Sequence, residues 1–123
     1  MARYITTTLP YVNADPHIGF ALEIIQADVL ARAWRLSGEE VFFSTGTDEH
    51  GQKIFEAAQK QGKDVQEYVD HYANEVRGLR DVLNLTPDNF IRTTSEAHKQ
   101  AAQEMWKRCE AAGDIYKKTY AGK

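Results

Sequence analysis

The apolar positions of this chain change period several times, and each change marks an element. Tyr4 to Leu9 reads Tyr-Ile-Thr-Thr-Thr-Leu, dense in β-branched and aromatic residues and closed by Pro10, the pattern of a short buried strand. From Ile18 the apolar residues Ile18, Leu22, Ile25, Val29, Ala33 and Leu36 recur at three- and four-residue steps. They predict a first helix with that stripe as its apolar face, capped by Gly38. Glu40 to Thr45, built around Val41, Phe42 and Phe43, predicts a second strand. Strand, helix and strand in close succession read as a right-handed βαβ unit, which makes the two strands parallel.

Beyond Gly51 a short helical stretch carries Ile54, Phe55, Ala57 and Ala58 and stops at Gly62. Asp64 then reads as the N-cap of a longer helix with Val65, Tyr68, Val69, Tyr72, Val76, Leu79 and Leu83 on one face. Thr86-Pro87-Asp88-Asn89 is a turn by composition. Ser95 caps a last helix, Glu96 to Ala112, in which Ala97, Ala101, Met105 and Cys109 share a face and Gly113 ends the run. Ile115 to Tyr120 reads as the start of another strand, and the sequence stops inside it without a cap or polar tail, as if cut.

Composition narrows the class. The 123 residues fit one domain, and a 42% hydrophobic content is enough for a core. No apolar run approaches the ~20 residues that span a bilayer, and the N-terminus lacks a secretory pattern, so a soluble, cytoplasmic protein is expected. The single cysteine, Cys109, can form neither an internal disulfide nor a Cys-x-x-Cys metal site, so no metal is expected on this chain. A net charge of −3 supplies no global positive field for nucleic acid, so any such contact is local.

In open parallel sheets, ligands bind beyond the carboxyl ends of the strands. Two loops reach that edge here: residues 10–20, from Pro10 to Phe20, and residues 44–51, from Ser44 to Gly51. His17 opens the first helix and Gly19 leaves its backbone amides uncovered, a combination suited to a phosphate. The same two residues also suit a plain helix cap with close packing. Asp48, at the end of an apolar strand, suits an ammonium or a ribose hydroxyl, or alternatively caps the helix after Gly51. Leu9, Tyr11 and Val12 offer an apolar, partly aromatic wall that a flexible thioether would fit, although Leu9 and Val12 equally suit ordinary core packing.

These residues also carry a resemblance. Leu9-Pro10-Tyr11-Val12-Asn13-Ala14 followed by Pro16-His17-Ile18-Gly19 resembles the His-Ile-Gly-His signature of class I aminoacyl-tRNA synthetases. Gln26-Ala27-Asp28, Phe43 to Gly51, Phe90-Ile91-Arg92-Thr93-Thr94 and Gly113-Asp114-Ile115-Tyr116 are similar, in order and spacing, to methionyl-tRNA synthetases of the bacterial type. The resemblance implies an α/β fold, the N-terminal half of a Rossmann-type (HUP-like) parallel sheet with flanking helices, over residues 1–123. It implies methionine activation by ATP with Mg2+, then transfer to tRNA(Met). It places the methionine side chain against Leu9 and Tyr11 and the substrate ammonium on Asp48. It brings the ATP to His17, Gly19 and Phe20, with Asn13 and Glu23 as further nucleotide contacts, His17 being the catalytic group.

Phe20 stands where the family motif has its second histidine and offers no hydrogen-bond donor, which implies slower activation. The zinc-bearing connective insert, the second half of the sheet, the Lys-Met-Ser-Lys-Ser loop and the anticodon-binding helices of the family are not in these residues. The 123-residue chain alone is therefore expected to be poorly active or inactive. Two other readings compete. A small nucleotidyltransferase shares a His-x-Gly-His turn but expects a glycine-rich strand end before it. A non-catalytic module docking tRNA or protein would retain the same fold.

Overall fold

The computed structural model describes residues 2–119. Its elements run β1 (Arg3–Thr6), α1 (Ile18–Leu36), β2 (Val41–Thr47), α2 (Gln52–Lys60), α3 (Val65–Val82), β3 (Asn89–Arg92) and α4 (Glu96–Ala111). The three strands form one parallel sheet in the order β1-β2-β3, with Ile5 opposite Phe43 and Gly46 opposite Ile91. Two right-handed crossovers running the same way across a sheet leave their helices on one face. That is the arrangement here: Phe20, Ile24, Ala27 and Ala31 of α1 and Val76 of α3 close over Phe43 and Leu85. A second cluster joins Ile54 and Ala58 of α2 to Tyr68, Val69 and Ala73 of α3, and Val12 from the first loop plugs into it. Tyr4 and Phe42, stacked with ring centroids 5.6 Å apart, occupy the sheet's other, exposed face.

Three sequence expectations are corrected. The first strand ends at Thr6, not Leu9, because Glu23 takes both the N–H (2.6 Å) and the hydroxyl (2.8 Å) of Thr8 and draws the chain off the ladder. The stripe predicted as the apolar face of α1 lies largely in solvent: Ile18 and Leu36 are each 89% exposed, and Leu22 and Val29 are also exposed. The buried residues are Phe20, Ile24, Ala27, Asp28 and Ala31. This helix is apolar on two sides, so periodicity alone cannot choose its face. Polar anchors choose it: the buried Asp28 carboxylate accepts from Thr86 N–H and Oγ1, both at 2.6 Å, and from Arg32 Nε at 2.5 Å.

The third correction concerns the C-terminal strand. Residues 115–119 form no regular element, and Tyr120 lies outside the described residues. The shared face of Ala97, Ala101, Met105 and Cys109 on α4 is not buried among the described residues, Cys109 alone being half-buried. Conversely β3 was not expected as a strand, because four residues carry no usable period. No described helix is long and apolar enough to cross a membrane.

At Gly46 the neighbouring strand β3 occupies the space a side chain would take. A Cβ there would stand 1.9 Å from the Ile91 carbonyl oxygen and 2.6 Å from Ile91 Cγ2. Gly46→Ala is expected to destabilise the chain by about 2 kcal/mol, read as a lowered urea midpoint; an unchanged midpoint would mean that the strands do not approach so closely.

Candidate functional site

Both crossover loops leave the same edge of the sheet, and backbone hydrogen bonds tie them together. Asp48 N–H donates to the Pro10 carbonyl at 3.0 Å, and Val12 N–H donates to the Asp48 carbonyl at 3.3 Å, a single parallel bridge between Tyr11 and Asp48. Buried Val12 fixes the first loop from below, and the Tyr68 hydroxyl donates to the Asn13 carbonyl at 3.0 Å. The loop is thus built onto α2, α3 and the end of β2.

Above this frame lies a cleft of about 390 Å³. All five residues expected at the nucleotide, Asn13, His17, Gly19, Phe20 and Glu23, line it together with Tyr11. His17 is the N-cap of α1, and its Nδ1 accepts from Gly19 N–H (3.1 Å) and Phe20 N–H (3.3 Å). The cap therefore exists, and it occupies two of the amides that the sequence offers to a phosphate. With Nδ1 accepting, the ring proton sits on Nε2. That N–H, on an imidazole lining the cleft, meets no acceptor among the described residues. A Cβ on Gly19 would meet the imidazole at 3.0 Å, so glycine leaves the ring room to reach the amides. The Phe20 ring belongs to the core beneath, and the Glu23 carboxylate is engaged by Thr8.

Tyr11 separates this cleft from a second, about 500 Å³, walled by Asn13, Gly51, Gln52, Lys53 and Glu56; Leu9 and Asp48 line neither cleft. Asp48 does not cap α2, whose N-cap Gly51 makes no side-chain cap bond. Its half-buried carboxylate uses Oδ1 alone, toward His50 N–H at 3.4 Å and Thr93 Oγ1 at 3.5 Å. No hydrogen bond from a described residue reaches Oδ2. One oxygen is oriented and the other is available to a cation.

The neighbouring Glu49 escaped sequence reasoning. Its side chain is fully buried, yet it accepts from Arg92 Nε (2.6 Å) and Nη2 (2.9 Å), Thr47 Oγ1 (2.6 Å) and Thr94 Oγ1. Arg92 Nη2 also reaches Asp70 on α3 at 2.6 Å. Burial pushes the Glu49 carboxyl up, but these donors and the Arg92 charge outweigh it and hold the group below its ordinary range. At Asp28 burial likewise acts upward and is overcome by Thr86 and Arg32, while at Asp70 the Arg92 hydrogen bond leads the downward shift. The partners lie 43 residues apart for Glu49–Arg92 and 22 for Asp70–Arg92, beyond any local spacing rule. The only available signal was a carboxylate at the end of a buried strand.

A parallel sheet whose first crossover loop ends in a helix capped by the histidine of a His-Ile-Gly turn marks this chain as a class I tRNA synthetase. The chain belongs to the methionine branch of that class: the family model described as tRNA synthetases class I (M) matches residues 3–123. It is 50% identical over 119 residues to a methionine–tRNA ligase of Rhizobium meliloti (strain 1021), covering 97% of this chain and 23% of that protein. It is also 50% identical over 122 residues to one of Thermotoga maritima, covering 99% of this chain and 19% of the relative. Among solved structures, Mycobacterium tuberculosis methionyl-tRNA synthetase in complex with methionyl-adenylate superposes with a TM-score of 0.92 at 43% identity, over 94% of this chain and 23% of the other. The chain thus spans about a fifth of the length of these relatives.

Replacing Glu49 by Gln keeps the shape and removes the charge that Arg92 faces. The expected loss at neutral pH is about 3–5 kcal/mol, the cost of leaving one partner of such a pair uncompensated. A carboxylate whose folded pKa lies below its unfolded value stabilises the fold above the unfolded pKa and loses that contribution as pH falls. The parent chain should therefore weaken as pH drops through and below about 4, and Glu49→Gln should weaken less steeply. Urea titrations at neutral pH and in that acid range read both effects; parallel pH profiles would remove Glu49 from the account.

Proposed function

We propose that this chain forms the N-terminal part of the catalytic domain of a methionine–tRNA ligase. That enzyme activates methionine with ATP to methionyl-adenylate and passes the methionyl group to tRNA(Met) in the cytoplasm. One observation carries the reading: the residues proposed for the nucleotide line a single cleft, and the loop behind them is hydrogen-bonded to the strand end bearing Asp48.

In this reading the methionine carboxylate attacks the α-phosphate, the bond to the β-phosphate oxygen breaks, and pyrophosphate leaves. No protein nucleophile is needed, so catalysis consists of positioning and of stabilising charge on the phosphoryl oxygens. His17 donates its Nε2–H to those oxygens, the task its Nδ1 cap frees it for. Asp48 takes the substrate ammonium on Oδ2, and Tyr11 and Leu9 flank the thioether. Asn13 and Gly19 shape the nucleotide side of the cleft. Glu23 acts there by holding Thr8, and Phe20 contributes an apolar floor without a donor. Mg2+ would arrive on the triphosphate; among the described residues no three His, Cys, Asp or Glu side chains gather to hold an ion.

Calorimetry on the 123-residue chain with methionine and ATP separately tests the assignment. Asp48→Ala is expected to weaken methionine binding at least roughly tenfold, the order of one lost charged hydrogen bond, and to leave ATP binding unchanged. Equal losses for both ligands, or no methionine binding by the parent, would count against it.

A further inference from the structure

We propose that Thr93, at the end of β3, is a positioning residue that sets the orientation of the Asp48 carboxylate. The inference deepens the reading of Asp48 as the ammonium's partner and rests on it. Thr93 is buried, and its hydroxyl has a defined role by simple bookkeeping. Glu49 N–H donates into Thr93 Oγ1 at 2.8 Å, so the hydroxyl's own proton is left to point elsewhere. The acceptor it faces is Asp48 Oδ1, at 3.5 Å. That is long for an O–H···O bond, and it is the one side-chain hydrogen bond of the described residues that this hydroxyl proton makes. His50 N–H approaches the same oxygen at 3.4 Å, so both donors converge on Oδ1 and leave Oδ2 without a donor among the described residues.

What makes Thr93 a fixed reference is its backbone. Its N–H donates to the Thr47 carbonyl at 3.2 Å, and its carbonyl accepts from His50 Nε2 at 3.1 Å. On either side, Arg92 and Thr94 both hold the buried Glu49 carboxylate. Residues 47–50 and 92–94 therefore clasp each other through side chains and backbone, and Asp48 is the one acidic group in the clasp with an oxygen left over. Val in place of Thr93 keeps the volume and loses the hydroxyl, whereas Ser keeps the hydroxyl and loses only a methyl.

The test is solution NMR on the isotope-labelled chain as it stands, comparing the parent with Thr93→Val and Thr93→Ser. In the parent and in Thr93→Ser, the Hα–Hβ couplings of Asp48 are expected to report a single χ1 rotamer. In Thr93→Val they should average, and the Glu49 amide should exchange roughly tenfold faster while the core amides of Ile24 and Val76 keep their rates. If Thr93→Val does not fold, Thr93→Ala is read against Thr93→Ser in the same way. An unaveraged Asp48 rotamer in the variant lacking the hydroxyl overturns the proposal, and so does averaging in Thr93→Ser as well. Titration with L-methionine separates this inference from the functional reading. Absent shifts at Asp48 to His50 in the parent would defeat the methionine assignment, while the couplings still decide the role of Thr93. If the parent binds, a variant without the hydroxyl that binds equally well also overturns the proposal.

Discussion

Two backbone hydrogen bonds on one residue carry the architecture of the site. The N–H and C=O of Asp48 are both spent on the opposite loop, at Pro10 and Val12, so the end of β2 and the entry to α1 form one piece of backbone. Neither loop could be placed so well by itself. Pro10 has no N–H to offer, and the sheet ladder of β1 has already stopped at Thr6. The bridge extends the sheet by one isolated pair past that gap, and the side chains on either side inherit its rigidity. Val12 and Tyr68 then decide the depth at which the first loop rides.

Burying a carboxylate as fully as Glu49 is ordinarily costly, and an ion pair repays that cost only when every lone pair finds a donor. Here it does: a bidentate Arg92 fork and two threonine hydroxyls surround the group. The same pattern recurs at Asp28, where threonine and arginine donors converge on a buried carboxylate beside the turn that leads into β3. The Glu49 cluster ties β3, and the Asp28 cluster the turn that leads into it, to elements far away in sequence. They contribute geometric specificity to a segment whose own four residues could not specify a strand.

Much of the fold was readable because local rules acted alone. Asp64 and Ser95 accept from first-turn amides of the helices they open, and His17 does so at α1, one of the two readings its position left open. Parallel pairing followed from chain order, and the face of α3 from its periodicity. The reading failed where tertiary contacts had the deciding vote. On α1 two apolar stripes competed, and the choice was made by Asp28, whose partner at Thr86 lies 58 residues away. Among the site residues, those on the loops announced themselves by type and position. Glu49, Arg92 and Thr93 did not, because their roles exist only once β2 and β3 lie side by side.

The stripe that α1 turns to water has a practical meaning. Ile18, Leu22, Val29 and Leu36 project from one long helix, and Tyr4 and Phe42 form a separate exposed apolar pair on the opposite face of the sheet. Exposed apolar side chains aligned along one helix are a surface on which other apolar groups associate. In a test tube the 123-residue polypeptide will behave as an amphiphile, crowding with its own kind as concentration rises and binding environment-sensitive dyes while fully folded. Dye fluorescence is therefore a poor gauge of its unfolding.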